Sequence, residues 1–333
     1  MYGDLYSFAK SFDEKIGWGR VGVLLSVTII AVAAVALYHT LRDINFDEVV
    51  DAIAAVEKHD VARAALFVAG GYFTLTFYDL FALRTIERRD VPYWGAALAS
   101  FTSYSIGHNI GATVLSGGAI RYRIYSFWGL RLVDIAKICF VTGLTFWLGN
   151  LTVLGLGMVY VPEAASAVDH LPPWANRAIG VAALCVLAGY IAYVQLAPRS
   201  FGSDRWRITL PNARLTALQI LIGIADLFFC AVAMSLLIPS EPAIDFVALA
   251  VIFVFATLFG FASHAPGSLG VFDAAMLIGL GQFNREDMVA GLLLFRLIYF
   301  IVPFGLALLI VGARELWLAV SRAKPVARPD CWP

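Results

Sequence analysis

Long apolar runs separated by short polar steps set the pattern along this chain. Eight of them, Arg20–Leu41, Val61–Leu83, Tyr93–Leu115, Leu132–Val161, Ala178–Leu196, Leu215–Ile238, Phe246–Ser263 and Met288–Val311, are long enough to cross the ~30 Å of a bilayer's hydrocarbon. Two shorter stretches, 116–130 and 266–282, follow interruptions that no continuous span needs: Ser116-Gly117-Gly118 and His264-Ala265-Pro266-Gly267. Glycine loosens a helix and proline removes one of its backbone donors. Residues 44–60 have a different period. Phe46, Val49, Val50, Ile53 and Val56 recur at helical spacing, while Asp47, Glu48, Asp51, Glu57 and Lys58 fill the other face. The pattern predicts an amphipathic helix lying on the membrane or on the bundle.

Composition agrees. The chain has 333 residues, of which 60% are hydrophobic and 14% charged, against roughly a quarter charged in soluble domains; the mean hydropathy is +0.79. The expected fold class is all-α: a polytopic transmembrane helical bundle of about eight full spans plus two broken or re-entrant helices. The expected domains are a cytoplasmic segment at 1–19, a transmembrane domain at 20–315 and a cytoplasmic, disordered tail at 316–333. The apolar run after Arg20 continues to Leu37 and reads as an uncleaved first span rather than a signal peptide. Net charge is zero, which gives no argument for nucleic acid. Cys139, Cys185, Cys230 and Cys331 have no CxxC spacing, so neither a disulfide framework nor a metal site is expected.

The two interrupted stretches match at a fixed offset. SGGAIRYRIYSFWGL from Ser116 aligns with PGSLGVFDAAMLIGL from Pro266: Gly117 meets Gly267, Gly129-Leu130 meets Gly279-Leu280, and Arg123 falls opposite Asp273. The basic residues then orient the repeat. The N-terminus, the 84–89 and 199–214 loops and the tail are arginine-rich, whereas 162–176 and 239–245 have no lysine or arginine. The rich segments share the cytoplasmic side only if each short helix completes a crossing. An odd number of crossings then separates the repeats and inverts them, which is a transporter architecture with its site near the midplane. Both termini would be cytoplasmic.

Six charges fall within or against apolar runs: Asp79, Arg121, Arg123, Asp226, Asp273 and Arg296. Each costs roughly 2.5–3.5 kcal/mol at bilayer depth on the lenient insertion scale, so they must meet one another or water. Structural pairing is the plain reading of Asp226 and Arg296, and snorkelling to the interface that of Asp79. Arg121 and Arg123 follow a glycine break, where a helix start and a guanidinium fork both suit phosphate. All six are therefore candidate substrate-binding residues. Gly117, Gly118, Gly267 and Gly270 are the candidate broken-helix glycines, and His108 and His264 could relay protons. Gly107 and Gly111 form a GxxxG pair suited to close helix packing. Enzyme motifs are lacking. There is no HExxH, PGSLG around Ser268 lacks the first glycine of GxSxG, and no cofactor is called for.

The runs YFTLTFYDLFALR, SGGAIRYRIYSFWGL, ADLFFCAVAMSLLIP, HAPGSLGVFDAAMLIGL and LLLFRLIYFIVP resemble the membrane region of the lysylphosphatidylglycerol synthase/flippase family over most of residues 20–315. That resemblance implies a flippase moving aminoacylated phosphatidylglycerol to the outer leaflet of the bacterial inner membrane, which resists cationic antimicrobial peptides. It places Asp79, Arg121, Asp226 and Asp273 at the family's functional membrane charges, and Arg296 at a recurrent arginine. Bifunctional members continue into an aminoacyl-transferase domain. This chain stops at Pro333, so the resemblance implies translocation by a standalone form rather than transferase activity. Two further readings stay open: a scaffold or partner subunit of a separately encoded lipid-modifying synthase, and an integral-membrane head-group transferase. The partners expected are phospholipid and membrane, with a homodimer left open.

Overall fold

In a computed structural model the described residues are 46–111, 113–196, 200–201 and 207–323. The first expected span, the segment before it and residues 324–333 of the tail lie outside them.

The described chain is an all-α membrane bundle. α1 (Phe46–Ala55) is the amphipathic helix; it buries Val49, exposes Asp47, Glu48 and Asp51, and rests on α11. α2 (Lys58–Thr85), α3 (Tyr93–Ile110), α4 (Thr113–Tyr125) and α5 (Leu132–Tyr160) follow, then a short α6 (Pro162–Asp169) and α7 (Pro173–Leu196). A two-residue antiparallel pairing, β1 (Ser200–Phe201) with β2 (Ile208–Thr209), leads to α8 (Ala213–Ser235) and α9 (Phe246–Ser263). A tight 3-10 turn at Pro266–Ser268 precedes α10 (Val271–Gly279), α11 (Arg285–Arg296), a π-helical turn at Leu297–Ile301 and α12 (Val302–Ala323).

Six of these helices are long and apolar enough to cross a membrane, with α11 to α12 counting as one. α3 has the length but carries Ser100, Thr102, Ser103 and Ser105, all fully buried, so its polar face points into the bundle. α2 is the central helix and packs on α3, α5 and α8, whereas α7 turns most of its surface outward. Helix starts follow local chemistry. Asn212, Asp245 and Asn284 cap α8, α9 and α11 by accepting backbone N–H groups that would otherwise lack a partner.

The repeat shows in the element order: a long span, an 18-residue helix, a break, a short helix and another span. α3 and α9 begin at Tyr93 and Phe246, and the spans after the short helices at Leu132 and Arg285, the same separation in each case. At nine residues α10 rises roughly 14 Å, well short of the hydrocarbon thickness.

Three expectations need correction. Gly117 and Gly118 do not break a helix; they lie inside α4. The break comes before α4, at Gly111, with φ +82°, where an added Cβ would come within 3.1 Å of the His264 carbonyl oxygen and 3.3 Å of Pro266. Only glycine combines that backbone angle with such an approach. Gly117 serves packing instead, since its missing side chain leaves room for the Arg121 guanidinium and the Ser103 carbonyl. Second, residues 162–169 are helical: Pro162 starts α6 in its first turn and a left-handed His170 ends it. Third, the last helix continues to Ala323, into the segment expected to be a disordered tail. At the second break Gly267 and Gly270 do take positive φ, +60° and +76°, as the glycine spacing there implies.

Where α5 crosses α8, Gly149 and Gly223 face each other so closely that a Cβ on Gly149 would lie 2.7 Å from the Gly223 backbone. Gly149→Ala is expected to cost about 1–3 kcal/mol by overpacking. Gly143→Ala, on the same helix with open space around it, should not destabilise. Thermal unfolding of the two variants in detergent checks the contrast; equal melting temperatures would contradict this crossing.

Candidate functional site

The two breaks face one another. Gly111 at the end of α3 touches the His264–Pro266 turn at the end of α9, and between these ends lies a cavity of about 270 Å³. Its walls are mainly aromatic and apolar, with Tyr104, Phe261, Phe272, Phe295 and Tyr299 among them. Phe295 stacks on Tyr299 at 5.2 Å between ring centroids, and Phe272 stacks behind Phe295. The polar groups that enter include Asp226 from α8, His108 from α3, Thr257 from α9, and His264 and Ser268 from the second break.

The π-helical turn shapes one wall. Pro303 has no N–H to offer the Tyr299 carbonyl, the acceptor one turn before it. That carbonyl accepts the Tyr72 hydroxyl at 3.0 Å, and the neighbouring Phe300 carbonyl accepts the Asn109 side-chain amide at 3.1 Å. Side chains of α2 and α3 thus satisfy backbone groups that the irregular turn releases, and tie the last span to the first break.

Five of the six charges sort into two pairs and one remainder. Asp79 and Arg121 are both buried. The Arg121 Nε donates to Asp79 Oδ2 at 3.0 Å and its Nη2 to Oδ1 at 2.7 Å, while the Tyr125 hydroxyl donates to Oδ2 at 2.8 Å. The Tyr104 ring covers the guanidinium at 4.8 Å and separates this pair from the cavity. Asp79 therefore does not snorkel; it sits at zero exposure. Asp273 and Arg296 form the second pair. The Arg296 Nε donates to Asp273 Oδ1 at 2.8 Å, and its Nη1 to the Gly267 carbonyl at 3.0 Å. Asp273 also accepts the Gly270 N–H at 3.0 Å, which caps α10. This pair holds the second break shut from both sides.

Asp226 is the remainder. Its Oδ2 accepts the Tyr78 hydroxyl at 3.2 Å, and its buried Oδ1 has no hydrogen-bond partner among the described residues. The sequence suggested a structural ion pair for Asp226, but the arginine lies elsewhere: Arg296 is taken by Asp273. The Nδ1 of His108 is likewise buried and without a partner among the described residues, and the ring lies near Tyr104 and Tyr299. His264 is exposed at the opposite wall and its Nδ1 lies 3.0 Å from the Ala262 carbonyl. Arg123 is exposed and stands apart from Arg121, so the structure does not bring the two arginines to one ligand.

Sequence reasoning missed Tyr104 and Tyr125 as covers of the first pair, and Gly111 as the break. It also missed a signal that was present. Asp79-Leu80-Phe81 in α2 recurs as Asp226-Leu227-Phe228 in α8, the corresponding helix of the second half, and the two helices pack together. The repeat places a buried aspartate on each, but supplies an arginine only to the first.

No family model matches the chain. Relatives do. The chain is 29% identical over 304 residues to the uncharacterized protein slr0712 of Synechocystis, covering 91% of this chain and 93% of that protein. It is 25% identical over 316 residues to the inner membrane protein YbhN of Escherichia coli, covering 92% and 96%. It is 27% identical over 295 residues to the phosphatidylglycerol lysyltransferase of Staphylococcus haemolyticus, covering 86% of this chain. The chain is a homologue of these proteins. It spans 33% of the length of that lysyltransferase, and 33% of the Staphylococcus aureus one, with which it is 23% identical. Similarity to these proteins and the six apolar helices of spanning length mark the chain as a membrane protein.

Arg121→Ala would strand Asp79 in the bundle without a countercharge. Breaking a buried pair in this way costs about 3–5 kcal/mol. Neutralising both partners, as Asp79→Asn with Arg121→Gln, should recover much of the loss. Unfolding of the single and double variants checks this; a double variant as unstable as the sum of its singles would contradict the pairing.

Proposed function

We propose that this protein is a lipid flippase of the bacterial inner membrane, moving a phosphate-bearing, aminoacylated phospholipid of the lysylphosphatidylglycerol class between leaflets, and that it is not itself a transferase. The observation that carries this reading is the carboxylate of Asp226, without a countercharge among the described residues and set in an aromatic cavity where two interrupted helices meet. An isolated carboxylate there is costly unless something cationic arrives. The amine of an aminoacylated head group is such a partner, and the Tyr104, Phe295 and Tyr299 rings suit a cation as well. A cavity of 270 Å³ takes part of a head group and not the acyl chains, so the chains would stay in lipid. The lipid's phosphate would compete with Asp79 for Arg121, opening the first pair as the head group passes. The relationship to phosphatidylglycerol lysyltransferases supports the substrate class.

A scaffold role beside a separate lipid-modifying enzyme is favoured by one observation: the two complete ion pairs, Asp79–Arg121 and Asp273–Arg296, which suit a closed bundle.

Reconstituted liposomes separate the two. With a labelled lysyl lipid in one leaflet, the parent chain should equilibrate it and Asp226→Asn should slow it at least tenfold, a loss of about 1.4 kcal/mol or more. Unaminoacylated phosphatidylglycerol should be less affected. Exchange of both lipids at the parent rate by Asp226→Asn would remove Asp226 from the pathway, and absence of exchange by the parent would favour the scaffold.

A further inference from the structure

A second cavity, of about 850 Å³, lies at the basic end of the bundle, where the C-terminal ends of α2 and α7 meet the N-terminal ends of α5 and α8. Arg84, Arg89, Lys137, Arg207 and Arg214 line it, against a single carboxylate, Glu87. Among the described residues Arg84, Arg89, Lys137 and Arg214 make no ion pair. The contrast with Arg88 is direct. That neighbour donates through Nε and Nη2 to Asp90 at 2.8 Å and to the Trp128 carbonyl, and holds the Asp90 carboxyl below its ordinary value. The chain had carboxylates to spend here and spent them on Arg88.

The backbone fixes this cation cluster. α2 ends in a turn in which the Arg88 N–H reaches the Leu83 carbonyl at 2.9 Å and Glu87 takes φ +63°, so Arg84 and Arg89 come to one side. Ile208, next to Arg207, is buried in the core cluster that includes Leu83, Ile135 and Ile138. That contact anchors the β2 strand over the cleft.

We infer that this cleft docks the phosphate of an anionic phospholipid head group. The guanidinium groups of Arg84, Arg89 and Arg214, without carboxylate partners among the described residues, suit a phosphodiester, which accepts two parallel N–H bonds from arginine. The surroundings select a lipid over a soluble phosphate compound. Leu215 lines the cleft and is 43% exposed, and Leu196, beside the lining residue Gln195, is 81% exposed. Both belong to helices that cross the membrane, and α7 is the most outward-facing of them together with the last span. An anion held here keeps its apolar part against leucine and lipid.

The position matters for passage. Arg84 lies five residues beyond Asp79 on α2, roughly 7–8 Å along the axis. On a flippase route the cleft would come before the Asp79–Arg121 pair. This placement rests on the flippase reading, whereas the binding itself does not.

The test is direct binding to the full chain in neutral detergent, with short-chain phosphatidylglycerol below its micellar concentration as one probe and glycerol 3-phosphate as the other. Phosphatidylglycerol should bind the parent and Arg131→Gln alike; Arg131 is an exposed arginine outside the cleft at the same end of the bundle. Arg84→Gln and Arg214→Gln should each weaken it about fivefold, and Arg84→Lys should weaken it less. Glu87→Gln should strengthen it, a gain that a misfolded variant would not give. An equal loss in Arg131→Gln, or no loss in either cleft variant, would overturn the site. Glycerol 3-phosphate binding more tightly than the lipid would overturn the lipid assignment. A chain that passes this test yet fails to exchange lipid between leaflets would overturn the flippase reading alone.

Discussion

The energetic cost of a bare charge in hydrocarbon governs this molecule. Four ionic side chains are neutralised in pairs, and each pair does structural work at an interrupted helix. Asp79 on the central span holds Arg121 of the short helix α4. Arg296 of the last span holds Asp273 of α10 and two carbonyls of the break before it. The interruptions can exist at membrane depth only because these contacts, with Asn109 and Tyr72, satisfy the backbone groups that an unbroken helix would satisfy itself.

The asymmetry between the halves is where a function can enter. The repeat gives α2 and α8 a common Asp-Leu-Phe sequence and a buried aspartate each. In the first half the short helix answers with arginine. In the second half it presents Val271 and Asp273, and the arginine comes from a later span to meet Asp273. Asp226 is left with one tyrosine hydroxyl and an open cavity. One buried carboxyl left without a countercharge among the described residues, in a scaffold that is otherwise duplicated, is the feature on which the proposed binding site rests.

Much of this was legible in the chain. Among the described residues apolar length gave six spans, the amphipathic period gave α1, and the sequence singled out the charges that the bundle then buries in pairs, Asp79, Arg121, Asp273 and Arg296. The pairing among them was not legible, because partners such as Asp79 and Arg121 lie in different helices and meet only through packing. The first break was misplaced for a physical reason. Ser116-Gly117-Gly118 carries the expected composition, yet helical context overrides glycine's weak propensity there, while Gly111 breaks because the opposing turn approaches too closely for any side chain. The basic residues at 84–89 and 199–214 were read as markers of orientation; that Arg84, Arg89, Arg207 and Arg214 share one cleft with Lys137 depends on where α2, α5, α7 and α8 end.

The central claim is that the meeting point of the two breaks is a passage that water and polar head groups enter. Thr257 lines it, half-buried, about two turns before the second break, while Val186 faces outward on α7 at 66% exposure. In a variant without the native cysteines, a cysteine at either position can be challenged in sealed vesicles with a charged, membrane-impermeant thiol reagent. The account predicts that Thr257→Cys is modified, and more slowly when lysyl lipid is present, while Val186→Cys stays unmodified in the bilayer. A Thr257→Cys variant as inert as Val186→Cys would contradict it.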